Sequence, residues 1–155
     1  QDASWQNLLA LKHDREFSGF AWLHIASHFF SDRHTGRLSG LALSDDDIFL
    51  DQIRDLAPLP ELVSLSACNS NDSFLFEGDE RLDLQTTCFM AGANTVIGSS
   101  WPLIDASAAE LTVHFFEHYF AGSSASQVVV QAQRQFMERG KPLETWASFV
   151  CAGMP

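Results

Sequence analysis

The sequence contains no apolar run near the ~20 residues that a membrane-spanning helix needs, and no signal-peptide pattern opens it. Positive charge is scarce: nine Lys and Arg stand against 20 Asp and Glu, for a formal net charge of −11. This balance argues against nucleic-acid phosphates as the main partner and permits a basic peptide substrate. The three cysteines are too few and odd in number for a disulfide framework, which favours a reducing, cytoplasmic compartment.

The 155 residues alternate between strand-like and helix-like segments, enough for one domain with a buried core. This pattern predicts an α/β fold with a largely parallel sheet. Core strands are predicted over residues 20–27, 62–67 and 94–99, a hairpin over 41–50 and a final strand over 146–152. Helices are predicted over residues 3–15, 51–56, 81–91, 106–121 and 126–139, and polar loops over 28–40 and 69–79. Because the chain opens without Met and runs straight into helical sequence, we expect a domain excised from a longer protein.

Two reactive side chains follow the first two core strands. His28 comes directly after the strand predicted at 20–27, and Cys68 directly after the strand at 62–67. The carboxyl ends of parallel strands share one edge of a sheet, where ligands bind in such folds. If these strands are neighbours, their backbones lie about 5 Å apart, and an imidazole could take the proton of the thiol. The alternative is that Cys68 is a small core residue, the usual role of a cysteine after an apolar strand.

Several segments together resemble the CHAT family, caspase-like domains of peptidase clan CD that are related to separase and caspases. These segments are LHIASH at 23–28, LSGLALS at 38–44, LSAC at 65–68, FMAGANTVIGSSWP at 89–102, AQ at 132–133 and WASFV at 146–150. The resemblance implies a caspase-like three-layer sandwich, with a mostly parallel central sheet flanked by helices. It makes residues 1–155 a single CHAT-like domain, the C-terminal part of a longer protein, because the first strand of that fold would precede Gln1.

The resemblance also implies a function. His28 would be the general base and Cys68 the nucleophile of a cysteine endopeptidase, which needs no metal or organic cofactor. The protein would be regulated by an attached N-terminal or partner domain. Its partners would be protein or peptide substrates, with no direct contact to nucleic acid or membrane.

Two positions depart from the family pattern. The family usually has glycine after the histidine, where the backbone amide helps to form the oxyanion hole, and this chain has Phe29. The residue after the cysteine is often acidic and is Asn69 here. The amides of Cys68 and Phe29 are the candidate oxyanion donors. The alternative function is a catalytically inactive CHAT-like interaction module in a signalling or defence complex.

Asp105 has two interpretations. It precedes the helix predicted at 106–121, and Asp is a favoured N-cap residue. In separase-like relatives, an acidic residue after the tryptophan motif lines the pocket for the substrate residue before the cut. Asp105 would then select Arg or Lys there. The three acidic residues within 77–80 (Glu77, Asp79 and Glu80) could also face a basic substrate, but a solvated loop and helix start is their ordinary role.

The remaining histidines and cysteines have weaker patterns. His114 and His118 fit the short H-x-x-E-H zinc motif on one helix face, although helix-surface histidines are the default, and we predict no metal site. His24 precedes the strand end and is predicted to pack in the core, and His34 is a loop residue and a secondary candidate for the base. Two cysteines are predicted to be core residues: Cys88 and Cys151.

Overall fold

The computed structural model describes residues 4–14, 17–30, 39–66, 74–75, 81–101 and 105–154. Its helices are α1 (Trp5–His13), α2 (Leu50–Asp55), α3 (Leu84–Met90), α4 (Asp105–Phe120) and α5 (Ala125–Glu138). Its strands are β1 (Trp22–Ala26), β2 (His28–Phe30), β3 (Gly40–Ala42), β4 (Asp47–Phe49), β5 (Leu62–Ser66), β6 (Phe74–Leu75), β7 (Arg81–Leu82), β8 (Thr95–Ser99) and β9 (Phe149–Gly153). Short 3₁₀ turns cover Phe17–Gly19 and Leu143–Thr145.

The central sheet has the strand order β1-β5-β8-β9. Strands β1, β5 and β8 run parallel, and β9 pairs antiparallel with β8. The β1–β5 register runs from Trp22 opposite Leu62 to Ala26 opposite Ser66. The two strands that precede His28 and Cys68 in the sequence are therefore direct neighbours, and the predicted, mostly parallel α/β sheet is confirmed.

Strand alternation gives the sheet two buried faces, because successive side chains of a strand point to opposite sides. One face packs under α1, α2, α3 and a second, three-stranded sheet of order β2-β3-β4, in a first core that includes Ile25, Val63, Leu65 and Val96. The opposite face packs under α4 and α5, in a second core. Its buried residues include Leu62, Ile97, Leu111, Phe115, Val128, Phe136 and Phe149. The helices flank the sheet on both sides, as in the α/β sandwich that the resemblance implies.

Short polar side chains fix where the helices begin. The hydroxyl of Ser4 accepts a hydrogen bond from the Asn7 N–H at 3.1 Å and caps α1. The Asp45 carboxylate, in the turn between β3 and β4, accepts the N–H of Trp5 at 2.7 Å and that of Gln6 at 3.1 Å. Donation from Trp5 is the largest of the effects that lower the pKa of Asp45. The start of α1 is thereby attached to the hairpin.

The structure corrects several predicted boundaries. His28 was predicted to open a polar loop, but residues His28–Phe30 form β2, which pairs antiparallel with β3. The helix predicted from residue 81 begins at Leu84, because β7 pairs with β6 and Asp83 then caps α3 through a 2.6 Å bond from the Thr86 N–H. The last strand begins at Phe149 and not at residue 146. Residues 31–38 of the predicted loop lie outside the described residues.

The hairpin depends on the absence of a side chain at Gly40. A Cβ at this position would lie 2.0 Å from the carbonyl oxygen of Ile48 and 3.0 Å from the ring of Phe30. Backbones therefore approach here as closely as only glycine permits. As for membranes, none of the described helices is long and apolar enough to span one.

Candidate functional site

A cavity of about 460 Å³ lies between α4 and the carboxyl ends of β1 and β5. Its volume is within the range of ligand-binding clefts. Its walls include Ala26, Ser27 and His28 at the end of β1 and Ser66 at the end of β5. This is the edge of a parallel sheet at which ligands bind in open α/β folds. The predicted base thus lies in a pocket at the predicted edge.

His28 is exposed to solvent and is the first residue of β2. It is separated from β1 by a bend at Ser27, whose hydroxyl donates to the Ala42 carbonyl and attaches the bend to β3. The chain leaves the central sheet at this point and enters β2 of the second sheet. The turn keeps the imidazole at the mouth of the cavity instead of inside a core.

Cys68 lies outside the described residues, as do Asn69, His34 and residues 77–80. The last described pair before it is Ala26 opposite Ser66. His28 and Cys68 each stand two residues beyond that pair in the sequence. The distance between imidazole and thiol is not fixed by the described residues, and the dyad stays a prediction.

The peptide groups of β3 alternate between its two neighbouring strands. The Leu43 N–H donates to the Asp46 carbonyl at 3.2 Å, and the Leu50 N–H donates to the Ser39 carbonyl at 3.1 Å. In an antiparallel ladder, hydrogen-bonded pairs recur every two residues, so Leu41 and Ile48, which lie between these two bonded pairs, also form a hydrogen-bonded pair. The even-numbered residues of β3 therefore direct their peptide groups to β2.

Phe29 lies opposite Leu41, an odd-numbered residue of β3. Because the peptide groups of Leu41 are directed to β4, the N–H of Phe29 points away from β3. The Phe29 side chain packs partly buried against the first core, whereas the neighbouring His28 lines the cavity. A strand conformation is open to any residue, so this position needs no glycine. The amide after the histidine is thus not used in the β2–β3 ladder.

One face of α4 forms the wall opposite the strands. Ala108, Ala109 and Thr112 line the cavity. The Thr112 hydroxyl lies 3.2 Å from that of Ser66, and this contact joins α4 to the end of β5. Two alanines on this face leave the space that larger side chains would fill. None of these three residues was predicted from the sequence. Ala108 and Ala109 precede Thr112 by about one helical turn, and this spacing could have indicated that all three lie on one face of the helix.

Asp105 is the first residue of α4, one residue earlier than the predicted start. By these bounds it occupies the first helical position, and the residues before it, 102–104, lie outside the described residues. Its helical position is one turn before Ala108 and Ala109 and two turns before Thr112, which places it on the face of the cavity-lining residues. The structure does not describe the side chain of Asp105, and its role in substrate specificity stays a prediction.

His24 was predicted to be a core residue, and it instead lines the cavity with His28. Its Nδ1 lies 2.6 Å from the Ser64 hydroxyl, and its ring meets Phe116 of α4 edge-on at 5.7 Å between centroids. Burial lowers the pKa of His24. The signal that sequence reasoning missed is the alternation of β1, which puts residues 24 and 26 on the same face.

The remaining candidates have structural roles. Burial, with a smaller contribution from the charge of Asp83, raises the pKa of Cys88 to about 12, and Cys151 is half-buried, with its pKa also raised by burial. The rings of His114 and His118 stack at 6.4 Å, and that of His114 packs edge-on against Phe136. Within the described part of the chain, no three His, Cys, Asp or Glu side chains are grouped to hold a metal ion.

Comparison with known proteins agrees with this geometry. A search of curated proteins finds no match. The CHAT domain, in contrast, matches residues 1–154, which is nearly the whole chain. With its mostly parallel sheet, its flanking helices and its cavity at the carboxyl edge, the chain belongs to the CHAT domain family.

Proposed function

We propose that this protein is a cysteine endopeptidase that cleaves protein substrates after a basic residue, with His28 as general base and Cys68 as nucleophile. The observation that carries the proposal is the cavity at the carboxyl ends of β1 and β5, which His28 lines. The in-register pairing of these strands supports it, because His28 and Cys68 follow the matched pair Ala26 and Ser66 by the same number of residues. Membership of a caspase-like family gives independent support.

In the proposed mechanism, the imidazole of His28 takes the proton of the Cys68 thiol, and the thiolate attacks the scissile carbonyl carbon. The carbonyl oxygen becomes an oxyanion, for which the N–H groups of Cys68 and Phe29 are the proposed donors. When the C–N bond breaks, the imidazolium gives its proton to the leaving amine. Water then hydrolyses the thioester, which releases the carboxylate product and restores the thiol. No metal or organic cofactor takes part.

Asp105 is the proposed determinant of the preference for Arg or Lys. Its helical position belongs to the face that lines the cavity, one turn before Ala108. A carboxylate there would pair with a guanidinium or ammonium of the substrate. The formal net charge of −11 permits a basic substrate.

The experiment is covalent labelling with a peptidyl electrophile that carries Arg at the position before the reactive group, applied to the full natural protein. We expect the wild type to be labelled at Cys68 and the Cys68→Ala variant to be unlabelled. Cys151→Ala is the matched control, because it removes a half-buried cysteine remote from the cavity and should leave labelling unchanged. Absence of labelling in the activated wild type would sink the proposal.

A second experiment isolates specificity. Asp105→Asn should lower the labelling rate with the Arg probe while the reaction of Cys68 with a small uncharged electrophile is unchanged. Equal rates of Arg-probe labelling in wild type and Asp105→Asn would show that Asp105 only begins the helix.

The alternative proposal is an inactive interaction module in a signalling or defence complex. Phe29 in place of the family's glycine favours it. The extended conformation of Phe29 and the direction of its amide weaken this argument, because glycine is not needed for either. In both proposals an attached or partner domain regulates the protein, which would act in the cytoplasm.

A further inference from the structure

Three side chains on the α4 side of the sheet form a hydrogen-bonded chain. The indole N–H of Trp22 donates to the Ser64 hydroxyl at 2.7 Å, and the same hydroxyl lies 2.6 Å from Nδ1 of His24. His24 and Ser64 face each other in the β1–β5 ladder, so backbone pairing sets this contact. Trp22 is held in turn by the ring of Phe116, with the centroids 4.2 Å apart.

The position of the protons follows from the chemistry of these groups. An indole nitrogen can only donate, so Ser64 accepts from Trp22 and keeps its own proton for another acceptor. Ser64 is 2% exposed, and a buried hydroxyl is expected to donate to a partner within reach. The partner is His24 Nδ1, which must then lack a proton. The proton of a neutral His24 is therefore on Nε2.

Nε2 is the nitrogen of His24 that is left for the cavity. It makes no hydrogen bond to any described residue, and the ring lines the same cavity as His28. The lowered pKa, caused by burial, keeps the ring uncharged at neutral pH. An uncharged N–H donor suits an oxygen acceptor, and it does not repel a basic substrate as an imidazolium would.

We propose that His24 is a substrate-binding residue, a neutral imidazole held by Ser64 with its proton on Nε2, which donates a hydrogen bond to a carbonyl oxygen of the peptide in the cavity. This inference rests on the proposed peptidase function. It assigns the two histidines different tasks: His28 moves a proton, and His24 holds the substrate. Ser64 is a positioning residue that acts through His24.

The first test reads the tautomer directly and needs no activity. Two-bond proton–nitrogen correlation spectra of histidine-labelled protein are recorded, with the His24 signals assigned from their loss in His24→Gln. We expect a bare Nδ1 and a protonated Nε2 in the wild type, and a mixture of the two tautomers in Ser64→Ala. A proton on Nδ1 in the wild type would overturn the assignment.

The second test measures the reversible affinity and the maximal rate of labelling by the Arg-containing peptidyl electrophile separately. His24→Leu should weaken the affinity about fivefold, the effect of one lost hydrogen bond, with the maximal rate unchanged. His24→Gln should keep most of the affinity, because its amide N–H can replace Nε2–H. His24→Met replaces His24→Leu if the latter does not fold.

The outcomes separate the two proposals. A labelled wild type with the same affinity in His24→Leu refutes the role of His24 and leaves the peptidase proposal intact. A wild type that is not labelled refutes the peptidase proposal and the substrate contact with it. A loss of maximal rate without loss of affinity would also overturn the binding role.

Discussion

Replacing Phe29 by glycine separates two explanations of the residue that follows His28. If the family's glycine is needed for its backbone freedom, Phe29 blocks the oxyanion hole and Phe29→Gly should create or increase reactivity. If the amide direction is set by strand pairing, the side chain has no effect on it. The structure supports the second explanation, because Phe29 lies in β2 opposite Leu41, with its N–H directed away from β3.

The substitution should cost stability. Phe29 is partly buried against the first core, and truncation of a fully buried phenylalanine costs about 3–5 kcal/mol. For a partly buried ring we expect about 2 kcal/mol, and glycine in a strand adds roughly 0.5–1 kcal/mol. The sum of about 3 kcal/mol corresponds to a fall in Tm of about 6–12 °C for a domain of this size.

The assay compares Tm and the labelling rate at Cys68 with the Arg-containing electrophile, at a temperature where every variant is folded. Phe30→Gly is the matched control, because Phe30 is also partly buried and packs edge-on against Phe49 at 6.1 Å. We expect both variants to lose stability and Phe29→Gly to label within about twofold of wild type, since hydrogen-bond donation at the oxyanion would be unchanged. A tenfold or greater gain in Phe29→Gly alone would refute the reasoning.

Three further predictions concern the cavity, the pH dependence of stability and the hairpin. Ala108→Leu should fill the cavity and slow peptide labelling at least about tenfold, whereas Ala106→Leu, on an exposed position of α4 outside the cavity, should not. Because burial lowers the pKa of His24 below its ordinary 6.5, the unfolded chain takes up this proton first as the pH falls. The free energy of unfolding, from denaturant titrations at about pH 7.5 and pH 5.5, should decrease toward the lower pH, and less so in His24→Gln. Gly40→Ala should lower the Tm by several degrees in thermal unfolding, because its Cβ would lie 2.0 Å from the Ile48 carbonyl oxygen. If the free energy of unfolding of His24→Gln depends on pH as strongly as that of the wild type, the expectation for His24 is wrong. An unchanged Tm in Gly40→Ala would contradict the expectation for the hairpin.

The central sheet could be predicted because its strands are short apolar runs bounded by turns. Such runs are typical of buried parallel strands, and the helical segments between them require parallel crossovers. The strand at His28–Phe30 could not be predicted in the same way. It has three residues, and nine residues (31–39) lie between it and its pairing partner β3 along the chain. Non-local pairing of this kind leaves no local pattern.

The site could be predicted only in part, for a related reason. His28, which lines the cavity, could be singled out because a strand end is visible in the sequence; the same pattern proposes Cys68, which lies outside the described residues. The role of His24 depends on which face of β1 meets α4, and local sequence does not specify that face. The space at Ala108 and Ala109 likewise becomes visible only once α4 is known to cover the ends of β1 and β5.

The β1–β5 register connects the fold to the proposed chemistry. Apolar side chains at Ile25 and Leu65 face the first core, so a shift of one strand by one residue would turn its apolar side chain toward the α4 side and bring a polar one into the first core. On the opposite face, the hydrogen bonds of Ser64 to Trp22 and His24 also join β5 to β1 in this register. A register fixed from both faces also sets Ala26 opposite Ser66, the last described pair before His28 and Cys68 in the sequence. The same contacts that stabilise the sheet would therefore align the base with the nucleophile.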